Sequence, residues 1–331
     1  MKKNLPAVLL LIVIIGCSGW GFLVHRTVHQ LAVYQLPKQV QGFFHLNMDY
    51  LVKHSVRPDL RRNEDKAEDT KHFIDFEIYE DSAAWKMPMD WNLAVKKYTK
   101  DTLLKYGYVP YHVITMKNKL TEAFRSKNKD SILFYAADIG HYIGDAHVPL
   151  HTTLNYDGQL TNQKGLHSLW ESMIPEIELN QFNLYSKHRA KYLSKPDEAI
   201  WNVVRASHVL LKDVLKMETE ASKNFTNATK YRVQMRNGRE SRSYTSEFAK
   251  VYSKLLGNTV NQQLLKTSNL IADFWFTSWV DAGKPDLKNL LNKSDRKEES
   301  AKLKTEYKSY KANDLLKNKL LISRNQTATS E

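Results

Sequence analysis

Histidine placement is the most informative feature of this chain. All 12 histidines lie between His25 and His208, and the final 123 residues have none. The densest run is Asp138 to His151, followed after sixteen residues by His167-Ser168-Leu169-Trp170-Glu171. His141 and Asp145 stand four apart, so on a helix they project from one face and can share a metal ion. His167 and Glu171 repeat that spacing. Chance alone gives about one such pair in a chain of this composition, and His45 with Asp49 reads as that background pair. The combination is more specific: two pairs on either side of a helix end marked by Pro149, with His151 just past it where the chain must turn. His151, His167 and Glu171 would then supply three nitrogen or oxygen ligands and leave one position open, the pattern of a catalytic zinc.

The remaining histidines read as structural. His147 lies six residues from His141, about 240° round a helix, and faces away. His29, one turn from His25, reads as a packed core residue. His45, His54, His112, His188 and His208 lack a convincing neighbouring carboxylate.

Long helices must position these groups. Apolar residues recur at spacings of three and four through Phe22 to Ala32, Ile132 to Ile143 and Phe248 to Leu264, and glycine is scarce at 12 in 331. The fold class is therefore all-α. Only His72-Phe73-Ile74-Asp75-Phe76-Glu77-Ile78-Tyr79 alternates cleanly enough to predict a short strand. The last strong periodic segment ends at Asp281-Ala282-Gly283-Lys284-Pro285, a credible helix stop. Three segments follow: 1–19, a core domain over 20–287, and a basic extension over 288–331, read as charged, solvated and partly helical.

Composition bounds the function classes. With 42% apolar and 11% aromatic residues the chain has ample material for a core, which excludes a disordered tail protein, a collagen and a mucin. The net charge of +13 favours polyanionic partners, nucleic acid or anionic membrane. Lys2 and Lys3, the apolar run Ala7 to Ile15 and the small residues Gly16 to Gly19 have the order of a signal peptide, too short for a membrane helix of about 20 residues. Cleavage before Trp20 gives a secreted or periplasmic protein. A bacterial lipoprotein anchored through Cys17 is the alternative. Under the first cut the mature chain has no cysteine, so any metal must be held by nitrogen and oxygen.

His141-Tyr142-Ile143-Gly144-Asp145, Pro149-Leu150-His151 and Gly165-Leu166-His167-Ser168-Leu169-Trp170-Glu171 resemble the core of the zinc-dependent single-strand nuclease family, of which bacterial zinc-dependent phospholipase C is a relative. Trp20-Gly21-Phe22 with His25, and His72-Phe73-Ile74-Asp75, extend the resemblance over roughly residues 20–287. The resemblance implies a helical domain holding three zinc ions. Asp59, His72, His141 and Asp145 would hold one, with Asp49 the alternative to Asp59. His151, His167 and Glu171 would hold the second, and His25, Asp145 and the free α-amine and carbonyl of Trp20 the third. Only cleavage before Trp20 frees that amine. Two zincs sharing Asp145 would lie about 3.5–4 Å apart and activate a bridging water for attack on phosphorus, with Asp59 and Asp145 as the catalytic carboxylates. Phe73 resembles the family's base-stacking aromatic and Asp75 its base-contacting acid, while Arg62 is placed to meet a phosphate oxygen.

The implied activity is hydrolysis of RNA and single-stranded DNA to 5′-phosphate products, with 3′-nucleotidase activity, by a monomer. Family nucleases usually carry aspartate where this chain has Glu171, and the phospholipases carry glutamate. Phospholipase C thus remains the alternative, and a non-catalytic, zinc-stabilised nucleic-acid-binding protein is the reading from another class.

Overall fold

The computed structural model describes residues 21–236, 239–291 and 293–325. The chain is all-α, and its only strands among the described residues form one antiparallel hairpin, Tyr231–Arg236 with Arg239–Tyr244. At the centre lies the helix Lys129–Ala146, whose N-terminus is capped by the Asn128 side chain accepting from the Ser131 amide. Such a cap satisfies one of the amides that a helix start leaves without a partner. Its residues from Ala136 to Ala146 are all buried, as expected of a helix surrounded by others. The helices Phe22–Gln35, Val109–Arg125 and Thr259–Asp281 enclose it. Trp275 anchors the packing: its ring stacks on Phe44 at 4.7 Å and its indole N–H donates to the Ala136 carbonyl at 3.0 Å.

A second apolar cluster gathers Leu150, Leu166, Leu169, Ile174, Val214, Phe248 and Tyr252 under the hairpin and the long helix Pro196–Ser222. His141 and Asp145 flank residues of the first cluster, whereas His151 and His167 adjoin residues of the second. The candidate ligands therefore lie along the seam between the two.

Two expectations differ from the structure. Residues 72–79 form no strand; Phe76–Ile78 is a 3-10 turn and the segment before it is extended. Its backbone amides bond to two unrelated segments, Ile74 to the His151 carbonyl and Asp75 to the Tyr106 carbonyl, both at 2.9 Å. The extension is also no solvated tail. Tyr310, Leu315 and Leu321 are buried, and Glu306 bonds to His45 at 2.8 Å and to Tyr34 at 3.0 Å. Residues 320–324 fasten two distant segments. Ser323 bonds to Thr27 at 2.9 Å, Gln30 of the same helix reaches the Leu320 carbonyl at 2.7 Å, and Arg324 pairs with Glu176 at 2.7 Å.

His29 and His147 are structural. His29 sits between the carbonyls of His25 and Ala137 at 2.7 and 2.9 Å, and His147 meets the Ile143 carbonyl at 2.8 Å. Burial pushes both rings down to about 4, and His112 down to about 3. Their unfolded forms take up protons near pH 6.5 while the folded forms stay neutral. Their contribution is thus intact above about pH 6.5 and is lost as pH falls towards 4, at about 1.4 kcal/mol per pH unit for each ring. Melting temperature is expected to fall steeply from pH 6.5 to 4.5, before most carboxylates protonate. A flat profile over that window would contradict the neutral burial of these three rings.

Candidate metal centre

Six segments bring their ligating groups to one place. The first helix supplies His25, the short helix Arg57–Arg61 supplies Asp59, and the turn closing the Lys66–Lys71 3-10 helix supplies His72. The central helix and the 3-10 turn Pro149–Thr152 that follows it provide His141, Asp145 and His151. His167 and Glu171 come from a helix that widens into a π turn at Leu169–Met173. Such turns are rare and frequent at functional sites. Here it holds His167 Nε2 2.6 Å from Glu171 Oε2.

The eight side chains form three groups, each with ligating atoms within 4.8 Å of one another: His25, His141 and Asp145; Asp59, His72 and His141; His151, His167 and Glu171. Asp145 is the hub. Its Oδ2 lies 2.8 Å from His72 Nδ1 and 3.4 Å from His141 Nε2, and its Oδ1 lies 3.5 Å from His25 Nε2. His25 Nε2 is also 3.6 Å from Glu171 Oε1, which joins the first and third groups. Asp59 Oδ1 stands 3.8 Å from His72 Nδ1 and 3.7 Å from His141 Nε2. Asp49 is exposed and in none of these groups, so of the two carboxylates weighed, Asp59 is the one beside the histidines.

The donor set fits divalent zinc, which takes imidazole nitrogen and carboxylate oxygen. The tautomers sharpen the argument. His141 Nδ1–H donates to the Ser55 carbonyl at 2.8 Å and His151 Nδ1–H to the His72 carbonyl at 2.7 Å. In each ring the other nitrogen, Nε2, is the one turned inward. His141 Nε2 lies 3.2 Å from His72 Nδ1, and His151 Nε2 lies 3.1 Å from His167 Nε2. Ring nitrogens at that separation repel unless a proton or a cation sits between them.

Charge reinforces this. Burial works to lower the His151 ring, but the Glu171 hydrogen bond and the Asp145 and Glu171 charges raise it to about 9. At His25 and His72 burial likewise works to lower the ring, and the neighbouring carboxylates outweigh it and raise both. Burial would raise the Asp145 carboxyl, yet the His141 and His72 rings hold it below the ordinary carboxylate range. Glu171 is also depressed despite burial, by hydrogen bonds from His151, His167 and His25. The centre is thus a buried set of ionised acids that draws cations to its histidines.

An outer layer orients these ligands. Glu68, 1% exposed, lies 3.6 Å from His72 Nε2 and also binds Lys71 at 2.7 Å, Arg61 at 3.2 Å and the Tyr142 hydroxyl. Arg61 continues to Asp138 at 2.8 Å, which Arg57 also grips at 2.5 Å. Sequence reasoning missed Glu68. Its signal was the spacing of four residues before His72, the same as the pairs already recognised.

Beside the centre opens a cleft of about 380 Å³ whose walls include Arg62, Phe73, Asp75, Leu154 and Tyr156. Arg62 bonds to Asp59 at 3.2 Å and to Asp69 at 2.8 Å. Phe73 backs against Gly107, where φ is +87° and an added Cβ would lie 2.3 Å from the Phe73 carbonyl oxygen. Burial, together with the Glu77 charge, pushes the Asp75 carboxyl up to about 7. Trp20 lies outside the described residues. Its neighbour Gly21 is beside Glu171, with an added Cβ 3.6 Å from Oε1.

Among the described residues no helix is long and apolar enough to cross a membrane. No curated protein matches the chain. The model of the S1/P1 nuclease family matches residues 20–278.

Proposed function

From the premise that this chain belongs to the S1/P1 nuclease family, we propose a secreted, zinc-dependent endonuclease that cleaves RNA and single-stranded DNA to 5′-phosphate products and also removes 3′-phosphates from nucleotides. The family's activity makes the protein a hydrolase of phosphodiester bonds, and its zinc dependence accords with the candidate metal groups. The observation that carries the finer reading is the arrangement of three ligand groups, two bridged by His141 and Asp145 and the third reached through His25 and Glu171, beside an aromatic-walled cleft. Three zinc ions are proposed, with Trp20 completing the group around His25 once the leader is cut.

Zinc bound there supplies Lewis acidity to the phosphate oxygens and lowers the pKa of water. The protein's own residues do the rest. Asp59 and Asp145 orient the attacking water, and the Arg62 guanidinium pairs with a phosphate oxygen. Phe73 stacks a base and Asp75 contacts its edge. With its carboxyl near 7, Asp75 can donate a hydrogen bond when protonated and accept one when ionised.

Hydrolysis by the mature protein beginning at Trp20 is the test, on single-stranded DNA, RNA and phosphatidylcholine in parallel. Cleavage of both nucleic acids is expected, abolished by a chelator and restored by zinc. Because Glu171 is the residue type of the phospholipase relatives, cleavage of lipid alone would move the function to phospholipase C. Bound zinc without turnover on any substrate would leave a nucleic-acid-binding protein.

A further inference from the structure

Trp85 is the most exposed of the described tryptophans that carry large apolar surface to solvent, at 53%, and nothing in the metal chemistry calls for it. An indole in water costs apolar hydration, so its position invites a ligand. It lies on the short helix Ala83–Lys86, and its backbone is anchored: Ala83 and Ala84 are buried, and the Ala84 carbonyl accepts from Arg205 Nε at 2.7 Å. The ring is held edge-on to His208 with centroids 6.2 Å apart. His208 Nδ1 in turn meets the Thr152 hydroxyl at 3.1 Å, and Thr152 directly follows His151. A short series of contacts thus leads from the metal centre to an exposed aromatic plate outside its cleft.

The surroundings suit a single strand. Lys86 is the next residue along the helix, and Arg205, whose guanidinium lies 5.5 Å over the Trp201 ring, reaches the Ala84 carbonyl next to Trp85; neither forms an ion pair among the described residues. Val209, 59% exposed, adds apolar surface on the next turn after Arg205. Between plate and cleft the Glu77 carboxylate is occupied by the Thr153 hydroxyl at 2.5 Å and the Leu154 amide at 3.2 Å, and Leu154 is itself a cleft wall. Aromatic plates beside cations are how proteins hold unpaired strands without reading sequence, since every base has a π-face.

We infer that Trp85 forms an outer subsite on which a base of a single-stranded nucleic acid stacks while another part of the same strand occupies the metal centre. The inference rests on the nuclease reading. The subsite acts on binding of long strands and takes no part in bond cleavage, and a dinucleotide seated in the cleft does not reach it.

The test compares the zinc-loaded protein with W85A and W85F, using a single-stranded 12-mer and a dinucleotide as substrates. Trp85 is half in solvent, so both variants are expected to fold, with unchanged melting temperatures. For W85A, KM for the 12-mer is expected to rise about tenfold, in line with the loss of one stacked base. Its kcat on the 12-mer and both constants on the dinucleotide stay unchanged, and W85F retains most of the affinity. An equal loss on both substrates, or no change on either, would overturn the subsite while leaving the nuclease reading intact. Failure of the parent protein to cleave either substrate would overturn both.

Discussion

Replacing Asp145 with asparagine is expected to lower kcat/KM on single-stranded DNA by about a thousandfold, which corresponds to about 4 kcal/mol of transition-state stabilisation. That lies within the several kcal/mol that metal Lewis acidity supplies. The argument starts from position. Asp145 is 1% exposed, and its two oxygens face His25, His72 and His141, so it serves two of the three ligand groups at once. Asparagine keeps the volume but loses the charge that the surrounding imidazoles hold in its ionised form. It also turns either an amide N–H₂ or a weaker neutral oxygen towards the ring nitrogens. Zinc content measured by elemental analysis is expected to fall together with activity, while the all-α circular dichroism spectrum persists. A variant with full zinc occupancy and near-parental turnover would remove Asp145 from the centre.

Gly140→Ala is the second large expected effect, and its sign runs against helix propensity. Exchanging glycine for alanine inside a helix usually gains about 0.5–1 kcal/mol. Here an added Cβ would stand 2.2 Å from His29 Nε2 and 2.7 Å from Cε1. His29 cannot retreat: it is fully buried and held between two carbonyls. Overpacking of a dense core costs about 1–3 kcal/mol and sometimes more, and here it also breaks a buried hydrogen bond. A net destabilisation of about 2–3 kcal/mol follows, a fall of roughly 3–5 °C in Tm for a domain of this size. The first helix would be pushed from the central one, and zinc affinity should weaken with it because that helix carries His25. Gly42→Ala is the control, since a Cβ there meets nothing within 4 Å. Thermal melting of both variants decides the matter, and a Gly140→Ala protein as stable as its parent would show that the two helices are not so tightly apposed.

Why glycine must stand at 140 explains how much of the site could be read from residues alone. His141, Asp145, His151, His167 and Glu171 were legible because helical spacing brings residues near in sequence near in space. His25, Asp59 and His72 reach the centre through tertiary packing, which periodicity does not encode, and only the family resemblance pointed to them. Gly140 and Gly144 carry the missing signal, because they let the first helix approach until His25 lies against the Gly144 backbone, where a Cβ would be 2.9 Å from its ring.

The misread elements have equally physical causes. Residues 72–79 alternate because Ile74 and Phe76 enter the core while Phe73 and Asp75 line the cleft, and an extended segment with two different faces mimics a strand without pairing as one. The hairpin hides in the sequence although Asn237-Gly238 is a strong short-range turn signal, since the charged residues around it mask the apolar alternation. In the C-terminal extension the buried residues Tyr310, Leu315 and Leu321 fit no helical period, and the lysine excess conceals them.

The fastening of the first helix by residues 320–324 sets an order of events. Thr27 and Ser323, which meet at 2.9 Å, are 296 residues apart, among the most non-local contacts a chain of this length can make, and such contacts close last. His25 lies two residues before Thr27, while Glu176, the partner of Arg324, follows Glu171 closely along the chain. A nascent chain therefore carries its ligands long before it owns the clasp that joins their two segments. The hold that residues 320–324 keep on the His25 helix and on the segment after Glu171 is therefore added to ligand-bearing segments made much earlier.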